Sequence, residues 1–384
     1  MLLKSSADFR AVYVHIPFCI QKCIYCDFYS TTDLDLIPDY TKALETEIKI
    51  RSGRENKINT IYFGGGTPSL LSIKEVEALL QPIKERFSIL SDVEITFEIN
   101  PGSVDLKYLE ELRNIGINRL SIGVQSFRDE KLEFLKRIHT ADQAFKAVDD
   151  AKKAGFSNIS LDMIYGLSFE TRSTWRDDLE KAAAVMPSHL SCYMLTVEPF
   201  TPLDQGVKKG GIKPLDSSAI SRLFKQTARL LNKHGFEHYE ISNFAKGRGF
   251  RSKHNSQYWN GTSYLGFGAS AHAFDGEKRS WNHKSITKYL KDIDSGRLPI
   301  EDFEILTFEQ KKLEAVMLGL RTCDGIDLRK YKNSFHTSFQ DEFQSTVKKI
   351  LDHSMGYLSS RRFVLNLDGK TCLNSILETF ARQI

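Results

Sequence analysis

Between residues 11 and 241 the chain repeats one unit, a short apolar run of strand length followed by a longer stretch with apolar residues at helical spacing. The alternation predicts strands at 11–16, 58–63, 93–99, 119–124, 159–164, 190–195 and near 238–241. The intervening helices are expected at 38–51, 73–86, 106–115, 141–154, 171–185 and 218–234. A parallel neighbour is reached only by a crossover, so strands joined by helices of this length belong to one parallel sheet. Six or seven such units predict a barrel or part of one, with functional residues at the C-terminal ends of its strands. Periodicity alone leaves open whether the barrel closes.

The first strand runs into the stretch His15-Ile-Pro-Phe-Cys19-Ile-Gln-Lys22-Cys23-Ile-Tyr25-Cys26-Asp27-Phe28. Its three cysteines are spaced C-x3-C-x2-C, close enough to serve one soft metal centre, and with no fourth nearby one coordination position stays open. An iron–sulfur cluster with one open iron fits best. Structural zinc usually takes four ligands in spaced pairs, and no second Cys or His pair follows. Disulfides need an oxidising compartment, and the short polar stretch at residues 1–10 is no secretory signal. Reduced cysteines buried for packing explain poorly three thiols within eight residues beside Lys22 and two aromatics.

Composition narrows the partners. With 41% hydrophobic and 27% charged residues the 384-residue chain reads as a globular protein of one large domain and a small one. No apolar run approaches the roughly 20 residues of a membrane span. A net charge of +4 does not imply nucleic acid, and none is expected as a partner. Cys192, Cys323 and Cys372 are scattered singly, as in a reduced, cytoplasmic protein.

Other residues stand where a site would form. Gly64-Gly65-Gly66-Thr67-Pro68 follows the second strand, where missing side chains let the backbone approach a ligand; it is neither a phosphate loop nor a dinucleotide fingerprint. Glu98 and Gln125 end their strands, and Asp162 interrupts an otherwise apolar one, so it calls for a polar partner. In residues 254–259, His-Asn-Ser-Gln-Tyr-Trp, a histidine lies among aromatics on a presumed loop.

The cysteine loop resembles that of the radical S-adenosylmethionine (radical SAM) superfamily. Its wording, HIPFC then CIYCDF, is similar to the family that unites oxygen-independent coproporphyrinogen III oxidases (dehydrogenases) and HemW-type heme chaperones. The resemblance implies an open, partial (β/α)6 barrel in which Cys19, Cys23 and Cys26 hold a [4Fe-4S] cluster and S-adenosylmethionine chelates the fourth iron. It makes Gly65, Gly66 and Thr67 the glycine motif for the cofactor's methionyl end. It also makes Glu98, Gln125 and Asp162 cofactor contacts, Arg137 the partner of its carboxylate, and Tyr13 and Tyr25 its packing neighbours. Tyr239 to Ala245, HNSQYW and Tyr264 to Gly268 are similar to the HemW type, which makes His254 the candidate heme ligand, ahead of His15.

Two departures separate the members. The oxidases carry another cysteine two residues beyond the third ligand, where this chain has Phe28, and they have a long N-terminal extension, where this chain has 18 residues before Cys19. Both favour the heme chaperone, with heme, client hemoproteins, soluble or membrane-bound, and an electron donor for the cluster as partners. Oxidative decarboxylation of coproporphyrinogen III is the runner-up.

Three divisions are expected: a radical SAM core at 1–242, an irregular connecting segment at 243–300, and a small α+β, winged-helix-like domain at 301–384. A helix is expected at 286–293, and the last division should hold helices at 308–320 and 339–351 and a hairpin at 358–367 turning on Asp368-Gly369.

Overall fold

A computed structural model describes residues 9–53 and 56–384. Residues 1–8, most of the stretch read for a signal, lie outside it. The α/β core runs β1 (Ala11–Ile16), α1 (Ile37–Arg51), β2 (Lys57–Gly65), α2 (Ile73–Arg86), β3 (Ser88–Ile99), α3 (Leu106–Asn114) and β4 (Arg119–Gln125). It continues with α4 (Asp129–Phe134), α5 (Ala141–Lys153), β5 (Ile159–Tyr165), α6 (Arg172–Ala184), β6 (His189–Met194), α7 (Pro202–Lys208) and α8 (Ser217–Lys233). β1 to β6 pair in parallel in chain order.

The strands alternate, with a break in β2, where the register shifts between Ile58 and Thr60. Val12, Val14, Ile61, Phe63, Ile95, Phe97, Leu120, Ile122, Leu161 and Leu190 face the helices and join one continuous core. Their neighbours Tyr13, His15, Thr60, Tyr62, Thr96, Glu98, Arg119, Ser121, Asp162, His189 and Ser191 take the other face, by the period of two. A parallel sheet covered on both sides normally reads as unbroken apolar runs. Here the inner face is polar, and α2, α5 and α6 are anchored outside by capping boxes from Ser72, Thr140 and Thr171. Two short helices, α4 and α7, escaped the sequence reading because one or two turns give too few residues to show a period.

The segment expected to be irregular is instead built into the sheet. β7 (Glu237–His238) and β8 (Asn243–Ala245) form its far edge, with β8 antiparallel to β6. After α9 (Lys253–Trp259), β9 (Tyr264–Phe267) returns to pair in parallel with β1, and β10 (His272–Phe274), β11 (Lys278–Asn282) and β12 (Ile300–Ile305) extend that side. Gly266 explains part of the misreading: a Cβ there would meet the His272 carbonyl oxygen at 1.9 Å, so a residue that looks like a loop signal is required by a close hairpin. α10 (Ile286–Asp294) packs on α1 through Tyr289, whose hydroxyl donates to Glu47 at 2.8 Å.

α9 closes the barrel at the N-terminal ends of the strands. The Glu94 carboxylate accepts from the backbone N–H groups of Lys253 and His254, both at 3.1 Å, an anion at a helix N-terminus. Gln257 donates to Thr60 at 3.1 Å, and the Ser252 N–H to the Tyr239 hydroxyl at 3.3 Å. At the opposite end the barrel is open, with Tyr193 at the end of β6 42% accessible.

The C-terminal part comprises α11 (Phe308–Arg321), β13 (Ile326–Asp327), α12 (Leu328–Phe335), α13 (Phe339–Glu342), α14 (Gln344–Asp352), β14 (Gly356–Leu358), β15 (Arg362–Leu365), α15 (Leu367–Thr371) and α16 (Leu373–Ala381). Its core is separate, centred on Phe339, Phe343, Phe363 and Phe380. Two expectations are corrected. The hairpin turns at 359–361, closed by Ser359 N–H to Arg362 carbonyl at 2.9 Å, and Asp368-Gly369 lies in α15, where Asn366 caps the Gly369 N–H. The helix expected at 339–351 is interrupted at Phe343, whose ψ of 28° departs from the helix so that its ring can enter the core.

Buried histidines give the fold an acid limit. Burial lowers His254 to about 3 and His15, His139 and His238 to about 4. In the unfolded chain each charges near 6.5, so the unfolded state takes up more protons as pH falls below that value. The share of stability these four histidines carry is full above pH 6.5 and is expected to fall steadily toward pH 4, outweighing the opposite trend of the buried Glu98 carboxyl, which burial raises to about 7. A urea midpoint unchanged between pH 7 and pH 5 would contradict this.

Candidate functional site

The site lies at the open end, where β1 to β5 deliver their C-terminal residues. The loop after β1 carries Cys19, Cys23 and Cys26, all half-buried free thiols. Its entry is fixed by parallel bridging of Phe18 to Thr31 and by Cys19 N–H donating to the Thr31 carbonyl at 2.9 Å. Burial pushes the Cys19 and Cys26 thiols up. Among the described residues no three His, Cys, Asp or Glu side chains close around a single ion. A cubane cluster needs no such closure, because each cysteine binds a different iron.

The glycines after β2 set how near that loop comes. A Cβ on Gly66 would lie 2.6 Å from the Phe18 carbonyl oxygen and 3.0 Å from Cys19 Sγ. One on Gly65, which has φ +116°, would strike the His15 ring at 2.6 Å. Glycine is therefore required here both for conformation and for approach. His15 holds the base of the loop: its Nε2 donates to the Tyr29 carbonyl at 3.0 Å, and its Nδ1 accepts from the Tyr13 hydroxyl at 3.1 Å.

A hydrogen-bonded arc runs from the first cysteine to the second. Thr67 Oγ1 donates to Cys19 Sγ at 3.7 Å and accepts from Asn100 Nδ2 at 2.9 Å. Arg137 Nη2 donates to Asn100 Oδ1 and, at 2.9 Å, to the Gly123 carbonyl, while its Nη1 reaches Cys23 Sγ at 3.4 Å. Arg137 Nε is buried without a partner. A half-buried guanidinium beside a thiol with a spare donor suits thiolate and carboxylate ligands, so the residues present fit an anionic cluster and an amino-acid carboxylate.

Gln125 sits at φ +63° at a register shift of β4. Its Nε2 would be 3.1 Å from a Cβ on Gly123, as would Asn100 Oδ1 at 2.8 Å and Arg137 Nη2 at 3.3 Å. Gly123 thus opens the inner face of β4 for three side chains to converge. Asn100 and Gly123 are not among the candidates read from the sequence. Asn100's place between two candidate residues appears only once the arc is assembled.

The acids lie deeper. Glu98 accepts from the Tyr62 hydroxyl at 2.7 Å and the Gly65 N–H at 3.2 Å, and burial, aided by nearby Asp162, raises it to about 7. Asp162 has the polar partner its setting required, Ser121 Oγ at 3.0 Å, and burial raises it too. Tyr13 stacks on Tyr62 with centroids 6.1 Å apart. Tyr25 packs on Leu135, Ile164 and Leu167.

His254 is not at this end. It lies on α9 in the closed floor, 1% exposed, with Nδ1 on the Thr60 hydroxyl and Nε2 on the Tyr258 hydroxyl, each at 2.9 Å. As folded, neither ring nitrogen is free for a metal.

Residues 13–182 match the Radical SAM superfamily and residues 306–370 the HemN C-terminal domain. The heme chaperone HemW of Escherichia coli K12 is 39% identical over 387 residues, spanning 96% of this chain and 97% of that protein. This chain belongs to the HemW heme chaperone family of the radical SAM superfamily. The Bacillus subtilis heme chaperone HemW is 32% identical and covers 98% of the chain and 100% of its own length. In fold, the chain is similar to coproporphyrinogen III oxidase (HemN) from Escherichia coli, with a TM-score of 0.84, 23% identity, and 99% and 92% of the two chains covered.

Proposed function

We propose that this chain is a heme chaperone that holds a [4Fe-4S] cluster and S-adenosylmethionine at the barrel mouth, binds heme, and hands it to client hemoproteins, soluble or membrane-bound. Cys19, Cys23 and Cys26 are the cluster ligands in this reading. A bound cluster with S-adenosylmethionine supplies one-electron chemistry, for which an electron donor is a further partner. The observation that carries the cofactor reading is the arc Cys19–Thr67–Asn100–Arg137–Cys23, because a purely structural cluster needs no such cradle. Heme and its delivery rest on the names of the full-length relatives.

The chain's own residues divide the work. The glycine backbone at Gly65 and Gly66 leaves room for the methionyl end, with Thr67 oriented by Asn100. Arg137 offers its unpaired Nε to a carboxylate. Glu98, which titrates near neutrality, accepts from an amino group or ribose hydroxyl, with Gln125 and Asp162 as further acceptors and Tyr13 and Tyr25 as packing walls. No helix among the described residues is long and apolar enough to cross a membrane, and the working compartment is taken to be the cytoplasm.

Arg137→Ala is expected to weaken S-adenosylmethionine binding by about 1.5–3 kcal/mol, the worth of hydrogen bonds to a charged group, with the cluster still assembled. Unchanged affinity in equilibrium dialysis removes Arg137 from the site. The chaperone reading itself is tested on anaerobically reconstituted protein by optical heme titration beside an assay of coproporphyrinogen III conversion. Tight heme binding without porphyrin product supports it; product with weak heme binding replaces it with the oxidase.

His254 separates ligand from scaffold. His254→Ala is expected to cost about 2–4 kcal/mol of stability, from two partners left unpaired and a cavity, with heme stoichiometry retained. Loss of the heme spectrum at unchanged stability would make His254 the ligand and would require α9 to leave the floor.

A further inference from the structure

On the outer surface α6 and α8 run side by side and leave a groove of about 360 Å³. Arg172 and Arg176 line it from α6, and Arg222, Lys225, Arg229 and Lys233 from α8. Six of the eight residues lining the groove are thus cations. The four on α8 recur at spacings of three and four residues and form one stripe.

The carboxylates at hand neutralise little of it. Lys225 pairs with Asp368 at 2.5 Å. Glu180 is 3.8 Å from Arg176 and is shared with His234 at 2.8 Å. Arg222 donates to the Ser218 hydroxyl at 2.9 Å, with Asp216 near it but not in ion-pair contact, and Arg172 reaches Gln226 at 3.4 Å. Arg229 and Lys233 are exposed and have no carboxylate within ion-pair distance among the described residues.

The shape and lining select the partner. From Arg222 to Lys233 the stripe is about 16 Å long at 1.5 Å per residue, too long for one phosphate. Both helix N-termini are already capped, by Thr171 and Asp216, so no backbone N–H nest awaits a small anion. No aromatic lines the groove for base stacking, and Leu230 is its one apolar residue, so neither single-stranded nucleic acid nor lipid insertion is provided for. An elongated polyanion with charges along its length remains.

We propose that the α6/α8 groove docks an acidic segment of a partner protein, through side-chain charge alone and therefore in a salt-sensitive complex. The inference is independent of the cofactor reading.

The test uses the full chain and a fluorescent oligoglutamate peptide of about 12 residues, roughly 18 Å when helical, followed by anisotropy at low and high salt. Binding should be present at low salt, fall with added salt, and weaken by about tenfold or more in Arg176→Glu/Arg229→Glu, since like charges are then juxtaposed. The Arg176→Lys/Arg229→Lys chain should keep most of it. Both positions are exposed, so circular dichroism should not change. The proposal is overturned if the peptide does not bind at low salt, if charge reversal leaves affinity unchanged, or if duplex DNA or phosphatidylglycerol vesicles bind better than the peptide at equal salt.

Discussion

Cys23→Ser is expected to reduce iron and sulfide after anaerobic reconstitution from the content of one cubane to background, with the far-UV spectrum unchanged. A serine hydroxyl is a hard, weakly acidic donor, and a low-valent iron–sulfur centre selects thiolate. The loop itself should survive. It is held by Pro17, Phe18 and Cys19 backbone contacts to Thr31 and by His15 on Tyr29, none of which uses the Cys23 sulfur. What Cys23 does contact is Arg137 and the Tyr25 side chain, so the variant also leaves that guanidinium short of a partner. Cys192→Ser is the matched control: Cys192 lies on the helix-facing side of β6, 3% exposed, and its removal should cost packing and no iron. Full iron incorporation by Cys23→Ser, or equal loss in both variants, would end the assignment of this loop as the cluster site.

The core was readable from sequence because its strands and helices are long enough to show a period, and because glycines and caps punctuate them. The start of α2 at Ile73 follows from Ser72, whose hydroxyl and backbone are answered by Glu75. From β7 onward the signal fails for a physical reason. β7 to β11 are two to five residues long, and α9 has seven, so each is specified by pairing with a distant strand rather than by its own pattern. The site divides the same way. Cysteines, glycines and strand-end acids announce themselves by type and position, whereas Asn100, ordinary before a proline, acquires meaning only from Thr67 and Arg137, 33 and 37 residues away. His254 shows the reverse case. Its motif was read from the sequence as a binding element, yet its place is the barrel floor, where Glu94 and Thr60 hold it. The strands were read as apolar runs, and apart from Asp162 and the strand ends the polar inner face went unread, because a sheet covered by helices gives no reason to expect a polar interior unless something polar is to be held there.

The largest stability effect is expected from Lys131→Met. Lys131 is 1% exposed on α4 and donates to Glu170 at 2.5 Å, to Asp178 at 2.9 Å and to the Ile164 carbonyl at 3.0 Å, with its ammonium 5.0 Å from the Trp175 ring centre. Asp178 also accepts from the Ser126 hydroxyl at 2.7 Å and the Phe127 N–H at 2.9 Å, and Glu170 from the Gly166 N–H. One cation thus ties the chain leaving β4, immediately after Gln125, to the chain leaving β5, just beyond Asp162, and to α6. Removing it strands two buried carboxylates near each other, at a cost of about 3–5 kcal/mol. Burial already raises Glu170 with the lysine present, and without it Glu170 would titrate higher still in the fold than in the unfolded chain. A raised folded-state value favours the fold at low pH and penalises it as pH rises, so the deficit of the variant relative to the parent should be largest near neutrality and shrink toward pH 5. Lys131→Met/Glu170→Gln/Asp178→Asn, which removes all three charges, should recover much of the loss. Because the strand exits carrying Gln125 and Asp162 would loosen, S-adenosylmethionine affinity should fall in the single variant and return in the triple one. Equal thermal midpoints for parent and Lys131→Met at neutral pH would mean that the cluster of charges is not what fixes these exits.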